Sequence, residues 1–88
     1  MKIVIKGSFV RDAKKLGKEI QLEIKDILLE LEQVDSLSQI KNLKKMTGYK
    51  NAYRIRLGNY RIGFLMIADE LILSRVLHRK DIYDYFPD

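Results

Sequence analysis

Eighty-eight residues, 47% hydrophobic and 33% charged, predict one soluble domain spanning 1–88, because a chain this short cannot bury two separate cores. No cysteine is present, which excludes a disulfide scaffold and a thiolate zinc site, and one histidine argues against a His-based metal centre. The net charge of +5 points toward an anionic partner.

The opening run, Met1 to Gly7, is too short in apolar residues for a signal peptide. No segment approaches the ~20 apolar residues of a membrane span. A cytoplasmic location, with no membrane partner, is the expectation. Lys2 to Lys6, dense in β-branched residues, predicts a short strand. Gly7-Ser8 breaks it, and Ser8 is a candidate cap for a helix carrying Phe9, Ala13 and Leu16 on one side. Gly17 ends or hinges that helix. A second helix follows from about Lys18 to about Gln33, with Ile20, Ile24, Ile27, Leu28 and Leu31 at helical spacing.

Residues 34–51 are polar and irregular, with at most a turn at Ile40-Lys41-Asn42-Leu43. Three strand-like runs follow. Ala52 to Leu57 joins Tyr60 to Ile67 through Gly58-Asn59, a two-residue hairpin signal of the Gly-first kind. Asp69-Glu70 marks a second turn into Leu71 to Leu77, and 79–86 predicts a short helix stopped by Pro87. The order β-α-α-β-β-β-α describes an α+β domain. Its small four-stranded, mainly antiparallel sheet carries the helical hairpin on one face and leaves the other face partly wet.

Charge is spread unevenly along this frame. Between Ser36 and Ala68 there is no acid, while Lys41, Lys44, Lys45, Lys50, Arg54, Arg56 and Arg61 are all basic. A one-signed segment attracts phosphate backbones, although a solubilising surface produces the same excess. Alternation along the strand separates the two possibilities further. Arg54 and Arg56 share a face, whereas Tyr53, Ile55 and Leu57 point the other way, toward the helices. The hairpin brings Arg61 beside them, and three like charges on neighbouring strands repel unless water or an anion screens them. Gly63, with no side chain, leaves room there for a close approach. Arg75, in the final strand, reads as structural, and Tyr53 and Tyr60 as core.

Two blocks, Tyr53-Arg54-Ile55-Arg56-Leu57-Gly58-Asn59-Tyr60-Arg61-Ile62 and Val76-Leu77-His78-Arg79-Lys80-Asp81-Ile82-Tyr83, together with Leu43-Lys44, resemble the RelE/ParE superfamily of toxins from type II toxin–antitoxin systems. The resemblance covers essentially the whole chain. It implies a RelE-like mRNA interferase that enters the ribosomal A site and cuts mRNA by attack of the 2′-hydroxyl on the adjacent phosphate, without metal. It also implies a heteromeric complex with a cognate antitoxin, expected to be short and acidic on average.

Carried over residue by residue, the resemblance makes Arg54 and Arg56 the basic pair on the first hairpin strand, and Arg61 and Arg79 the clamp on the scissile phosphate. Tyr83 would stack on a base or orient the nucleophile, with Tyr85 a competing assignment because the spacing from Arg79 is shorter than in some members. Lys44, Lys45 and Lys50 extend the RNA-binding surface. Some members carry lysines where Arg54 and Arg56 stand here. Arginine does not in practice shed its proton, so His78, the sole histidine, becomes a candidate acid or base. Two rivals remain open on sequence: a ParE-like toxin that binds DNA gyrase, and a non-catalytic RNA-binding module. The convergent basic set favours the nuclease.

Overall fold

The computed structural model describes residues 1–87 and contains one five-stranded sheet with three helices. Strand β1 (Lys2–Ile5) is followed by helices α1 (Gly7–Lys14) and α2 (Lys18–Gln33) and a single 3-10 turn at Leu37–Gln39. Strands β2 (Leu43–Lys45), β3 (Ala52–Leu57), β4 (Tyr60–Ile67) and β5 (Glu70–His78) then lead to α3 (Ile82–Tyr85). The sheet order is β1-β5-β4-β3-β2, with β1 parallel to β5 and the other pairs antiparallel.

The α+β class and the covering hairpin agree with the sequence reading, but the sheet has five strands rather than four. The extra one is β2, placed by its pairing with β3 rather than by any pattern of its own. Three residues, two of them exposed lysines, carry no period that would announce a strand. The hairpin turn is of the expected kind: Leu57 pairs with Tyr60, and Gly58 takes a φ of 57° that costs glycine nothing. The second turn falls one residue earlier than expected, at Ala68-Asp69, with Ile67 paired to Glu70 and Ala68 at φ 55°.

Helices α1 and α2 pack Phe9, Ile24 and Leu31 against Ile55, Ile62, Phe64, Leu71, Leu73 and Val76. Ser8 does not cap α1. It sits in the first turn, and its hydroxyl donates to the Ser74 carbonyl at 2.7 Å. The reason lies in the short β1, whose pairing with β5 ends at Leu73, so that the outer edge of β5 beyond it is bare backbone. Helix α1 covers that edge. The Asp12 carboxylate accepts from the Val76 amide at 3.1 Å and grips Arg75 with both oxygens, at 2.7 and 3.1 Å. Arg75 is therefore structural, as its strand position suggested.

The other face of the sheet is not left wholly wet. Met46, Ala52, Ile82 and Phe86 form a second, smaller core there, with Leu65 and Leu77 against it. A four-residue helix has almost no stability of its own, so α3 stays where Ile82 and Phe86 are buried. The close approach at Gly63 is consequently made by the chain itself. A Cβ at that position would lie 2.5 Å from Cδ2 of Phe86.

Candidate nucleic-acid interface

Beside this second core, the same sheet face carries the basic residues. Arg56 pairs directly with Arg61 across the β3–β4 hairpin, Lys44 pairs with Arg54 across β2–β3, and Arg54 faces Gly63. Cross-strand partners point to the same side, so Lys44, Arg54, Arg56 and Arg61 form one patch. A cleft of about 340 Å³ opens among Asn42, Leu43, Lys44, Arg54, Arg56 and Arg61. Asn42, at φ 61°, serves Arg56 as an acceptor. Its carbonyl accepts the Arg56 amide at 3.1 Å, and its side-chain oxygen faces the Arg56 guanidinium at 3.5 Å.

Arg79 enters from β5. Its amide donates to the Asn59 carbonyl at 2.7 Å, which ties the residue after the last strand to the hairpin turn. Arg61 folds back along its own strand and donates from one terminal nitrogen to the carbonyls of Gly58, at 2.9 Å, and Tyr60, at 2.8 Å. Partial loss of hydration holds the Arg61 guanidinium below its ordinary value, and the charges of Arg54, Arg56 and Arg79 add to the effect, while Tyr83 opposes it. Three arginine charges thus bear on Arg61. Among the described residues, the ion pairs are Lys2 with Glu70 and Arg75 with Asp12, and none of these four arginines is in one. A cluster of guanidinium groups without carboxylates suits phosphate.

The two candidate tyrosines part company. Arg54 lies over the Tyr83 ring, its guanidinium carbon 5.2 Å from the centroid, so Tyr83 borders the cationic patch and remains 58% exposed. Tyr85 instead sits beside Arg75, at 5.7 Å. It lines a different depression, with Asp12, Tyr60 and His78.

His78 does not join the arginines. It pairs with Tyr60 on the helix side of the sheet, its ring edge-on to Tyr60 at 5.7 Å, and its Nδ1 accepts from the Lys80 amide at 3.2 Å. Alternation is the cause: one residue along β5 from Leu77, which faces Arg61, the side chain must turn away. Lys45 likewise pairs with Tyr53, on the side opposite Lys44, and Lys50 lies in the loop between β2 and β3. Sequence reasoning missed the Lys44–Arg54 pairing, since it depends on the unrecognised β2.

The model of the ParE toxin of the type II toxin–antitoxin system parDE matches residues 3–83. The chain belongs to the RelE/ParE superfamily of toxins. The Toxin RelE3 of Methanocaldococcus jannaschii is 49% identical to this toxin over 88 residues, covering 99% of this chain and all of the relative. The fold is similar to that in the crystal structure of a RelB-RelE antitoxin–toxin complex from Methanococcus jannaschii, with a TM-score of 0.80 and 47% identity over 96% of this toxin and 99% of that chain. At 20% identity, an archaeal RelE-RelB complex from Pyrococcus horikoshii shares the fold, with a TM-score of 0.70 over 89% of this toxin and 93% of that chain.

Proposed function

We propose that this toxin is a RelE-like endoribonuclease of the cytoplasm that cuts mRNA in the ribosomal A site and so arrests translation. The observation that carries the reading is that Arg54, Arg56 and Arg61 share one sheet face, with Arg79 tied by its backbone to the hairpin turn and the exposed ring of Tyr83 alongside, and with no carboxylate partner for these arginines among the described residues. A gyrase ligand has no need of a phosphate clamp.

The reaction is a transesterification within the RNA. The 2′-hydroxyl oxygen bonds to the adjacent phosphorus as it loses its proton, and the bond from phosphorus to the 5′-oxygen breaks. That oxygen takes up a proton, giving a 2′,3′-cyclic phosphate and a free 5′-hydroxyl. Negative charge builds on the non-bridging oxygens along the way. In this reading Arg61, whose guanidinium is bonded to the hairpin turn, and Arg79, whose backbone is bonded to the same turn, meet that charge, and one preorganised donor of this kind is worth about 2.7–4 kcal/mol of barrier. Arg54, Arg56 and Lys44 hold the flanking phosphates. Tyr83 stacks on an unpaired base, a contact worth about 1–3 kcal/mol. His78, on the far side of the sheet, has no part in this scheme.

The free cationic face calls for neutralisation. A cognate antitoxin, short and acidic on average, would lay a helix or an extended segment along it and order on binding. The antitoxin–toxin complex of the relative in the same fold supports that partner.

Expression without antitoxin, followed by pulse labelling, mapping of mRNA ends and a gyrase supercoiling assay, tests the proposal. Protein synthesis should fail before DNA synthesis, with new mRNA ends inside codons. DNA synthesis stopping first over whole mRNA would establish the gyrase rival. Arrest with RNA bound but uncut would establish the binding module.

A further inference from the structure

Tyr49 stands apart from the site described above, in the loop between β2 and β3, and is 49% exposed. Its backbone is nevertheless well tied. The Met46 amide donates to the Ala52 carbonyl at 2.8 Å, and the Met66 amide to the Asn51 carbonyl at 2.9 Å, so the loop is closed at its base and fastened to β4. Met46 and Ala52 are buried in the second core with Ile82 and Phe86, which anchors the loop to the sheet face that carries the arginines. Within the loop the Tyr49 amide donates to the Met46 carbonyl at 3.3 Å, in a turn that Gly48 permits at φ 86°. A large aromatic is thus presented to solvent on a loop that has little freedom to withdraw it.

Its neighbours carry one sign of charge. Lys45, Thr47, Gly48, Tyr49 and Lys50 line a shallow depression of about 410 Å³ with Met46 as its floor. No acid occurs from Ser36 to Ala68. An exposed ring flanked by lysines matches what single-stranded nucleic acid requires: a π-face for a base and cations for the phosphates on either side. An apolar protein partner would call for a groove of aliphatic side chains, and this depression offers one buried methionine.

We propose that Tyr49, with Lys45 and Lys50, is a second subsite for single-stranded RNA, where one base outside the cleaved step stacks on the tyrosine. The proposal rests on the RNA reading of the arginine face and extends it. Arg54 follows Lys50 by four positions, two of them ahead of β3, so the two lie at most about 13 Å apart at ~3.3 Å per position. The second base therefore lies a few nucleotides from the clamp, whose near end is formed by Lys44 and Arg54, paired across β2 and β3. Stacking of this kind tolerates any base, so the subsite adds affinity and register without a sequence preference.

The test is fluorescence anisotropy with labelled oligoribonucleotides of three and ten residues, 2′-O-methylated throughout so that they bind without being cut. Tyr49→Ala should bind the ten-mer about tenfold more weakly and the trimer as wild type does. Tyr49→Phe should restore the ten-mer, and Lys45→Ala and Lys50→Ala should each lower its salt slope by about 1. Equal affinity of Tyr49→Ala and wild type for the ten-mer, with Arg54→Ala and Arg56→Ala weakened, would overturn the subsite and leave the arginine face intact. A wild-type toxin that binds neither oligomer, whether free or as the message of a programmed ribosome, would overturn both. Unchanged RNA binding together with weaker antitoxin binding by Tyr49→Ala would make the loop a protein contact instead.

Discussion

Arg54 on β3 and Tyr83 on α3 stack across the sheet face, the guanidinium carbon 5.2 Å from the ring centroid. A half-exposed contact of this type contributes about 0.5–1 kcal/mol, too little to hold the fold but enough to orient a ring. Tyr83→Ala is therefore expected to lower unfolding free energy in urea by no more than about 1 kcal/mol, and to lower cleavage well beyond that. Tyr83→Phe should bind RNA as wild type does, and any drop in its single-turnover rate measures the share of the hydroxyl. Full activity in both variants would remove Tyr83 from the site.

Arg61 and Arg79 lie outside both apolar cores, so truncating either removes little buried surface. Arg61→Ala and Arg79→Ala should stay within about 0.5 kcal/mol of wild-type stability. If the two side chains clamp the phosphorane, cleavage should fall by roughly 10²-fold or more. Arg54→Ala and Arg56→Ala should instead weaken RNA binding, each reducing the salt slope by about 1. Thermal denaturation paired with cleavage rates separates the cases. Unfolding of the Arg61 or Arg79 variant, or its full activity, would mean a structural role.

The same crowding predicts a salt response. The Arg61 guanidinium is held below its ordinary value in the folded toxin, first by lost hydration and then by Arg54, Arg56 and Arg79. Its charged form therefore opposes folding in full at every pH below the folded value, and the opposition fades as pH rises through that value and is gone above the ordinary one. Across ordinary working pH the group stays charged, so this contribution does not change with pH, but salt screens the repulsive part. Raising ionic strength from 0.05 to about 0.5 M should raise the melting temperature. Arg61→Gln should flatten that dependence, and an unchanged slope would show that the repulsion has no energetic weight.

Most of the fold was legible in the sequence because its elements carry their own period. Helix α2 and strands β3 and β4 begin and end where the pattern of Ile, Leu and Tyr placed them. Strand β2 was not legible, since Leu43-Lys44-Lys45 becomes a strand only by pairing with β3. The cationic face followed from alternation alone, which put Arg54, Arg56 and Arg61 together. Alternation read one step further along β5 would also have separated His78 from them. What no local pattern could give was the use of the remaining surface: Asp12 closing the bare edge of β5, and Phe86 filling the space over Gly63.

Asp12 offers a sharp check on that edge. It is 8% exposed, and its carboxylate serves both the Arg75 guanidinium and the Val76 amide. Asp12→Ala takes the carboxylate away from both the Arg75 guanidinium and the Val76 N–H, and breaking a buried pair from one side costs about 3–5 kcal/mol. Arg75 keeps some access to water, which places the expected loss toward the lower end, about 3 kcal/mol. Amide exchange at Val76 should accelerate with it. A loss under about 1 kcal/mol would show that water replaces the carboxylate at this edge.

Gly63 tests whether α3 is set by packing. Its φ is not in the left-handed region, so alanine is allowed by the backbone and the substitution adds only one methyl group. That methyl would lie 2.5 Å from Cδ2 and 2.8 Å from Cε2 and Cγ of Phe86. Phe86 is 3% exposed, so the ring has no open space into which to turn and must move with its backbone. Overpacking of this kind costs about 1–3 kcal/mol. The displacement would carry Tyr83 away from Arg54, because the two tyrosines and Phe86 share one short segment. Gly63→Ala should therefore lose both stability and cleavage, although residue 63 makes no contact with RNA in the proposed scheme. Phe86→Leu in the same chain should relieve the clash. A double-mutant cycle by urea denaturation is expected to show a favourable coupling of about 1 kcal/mol or more. Strict additivity would mean that Phe86 already yields, and that α3 is held by Ile82 alone.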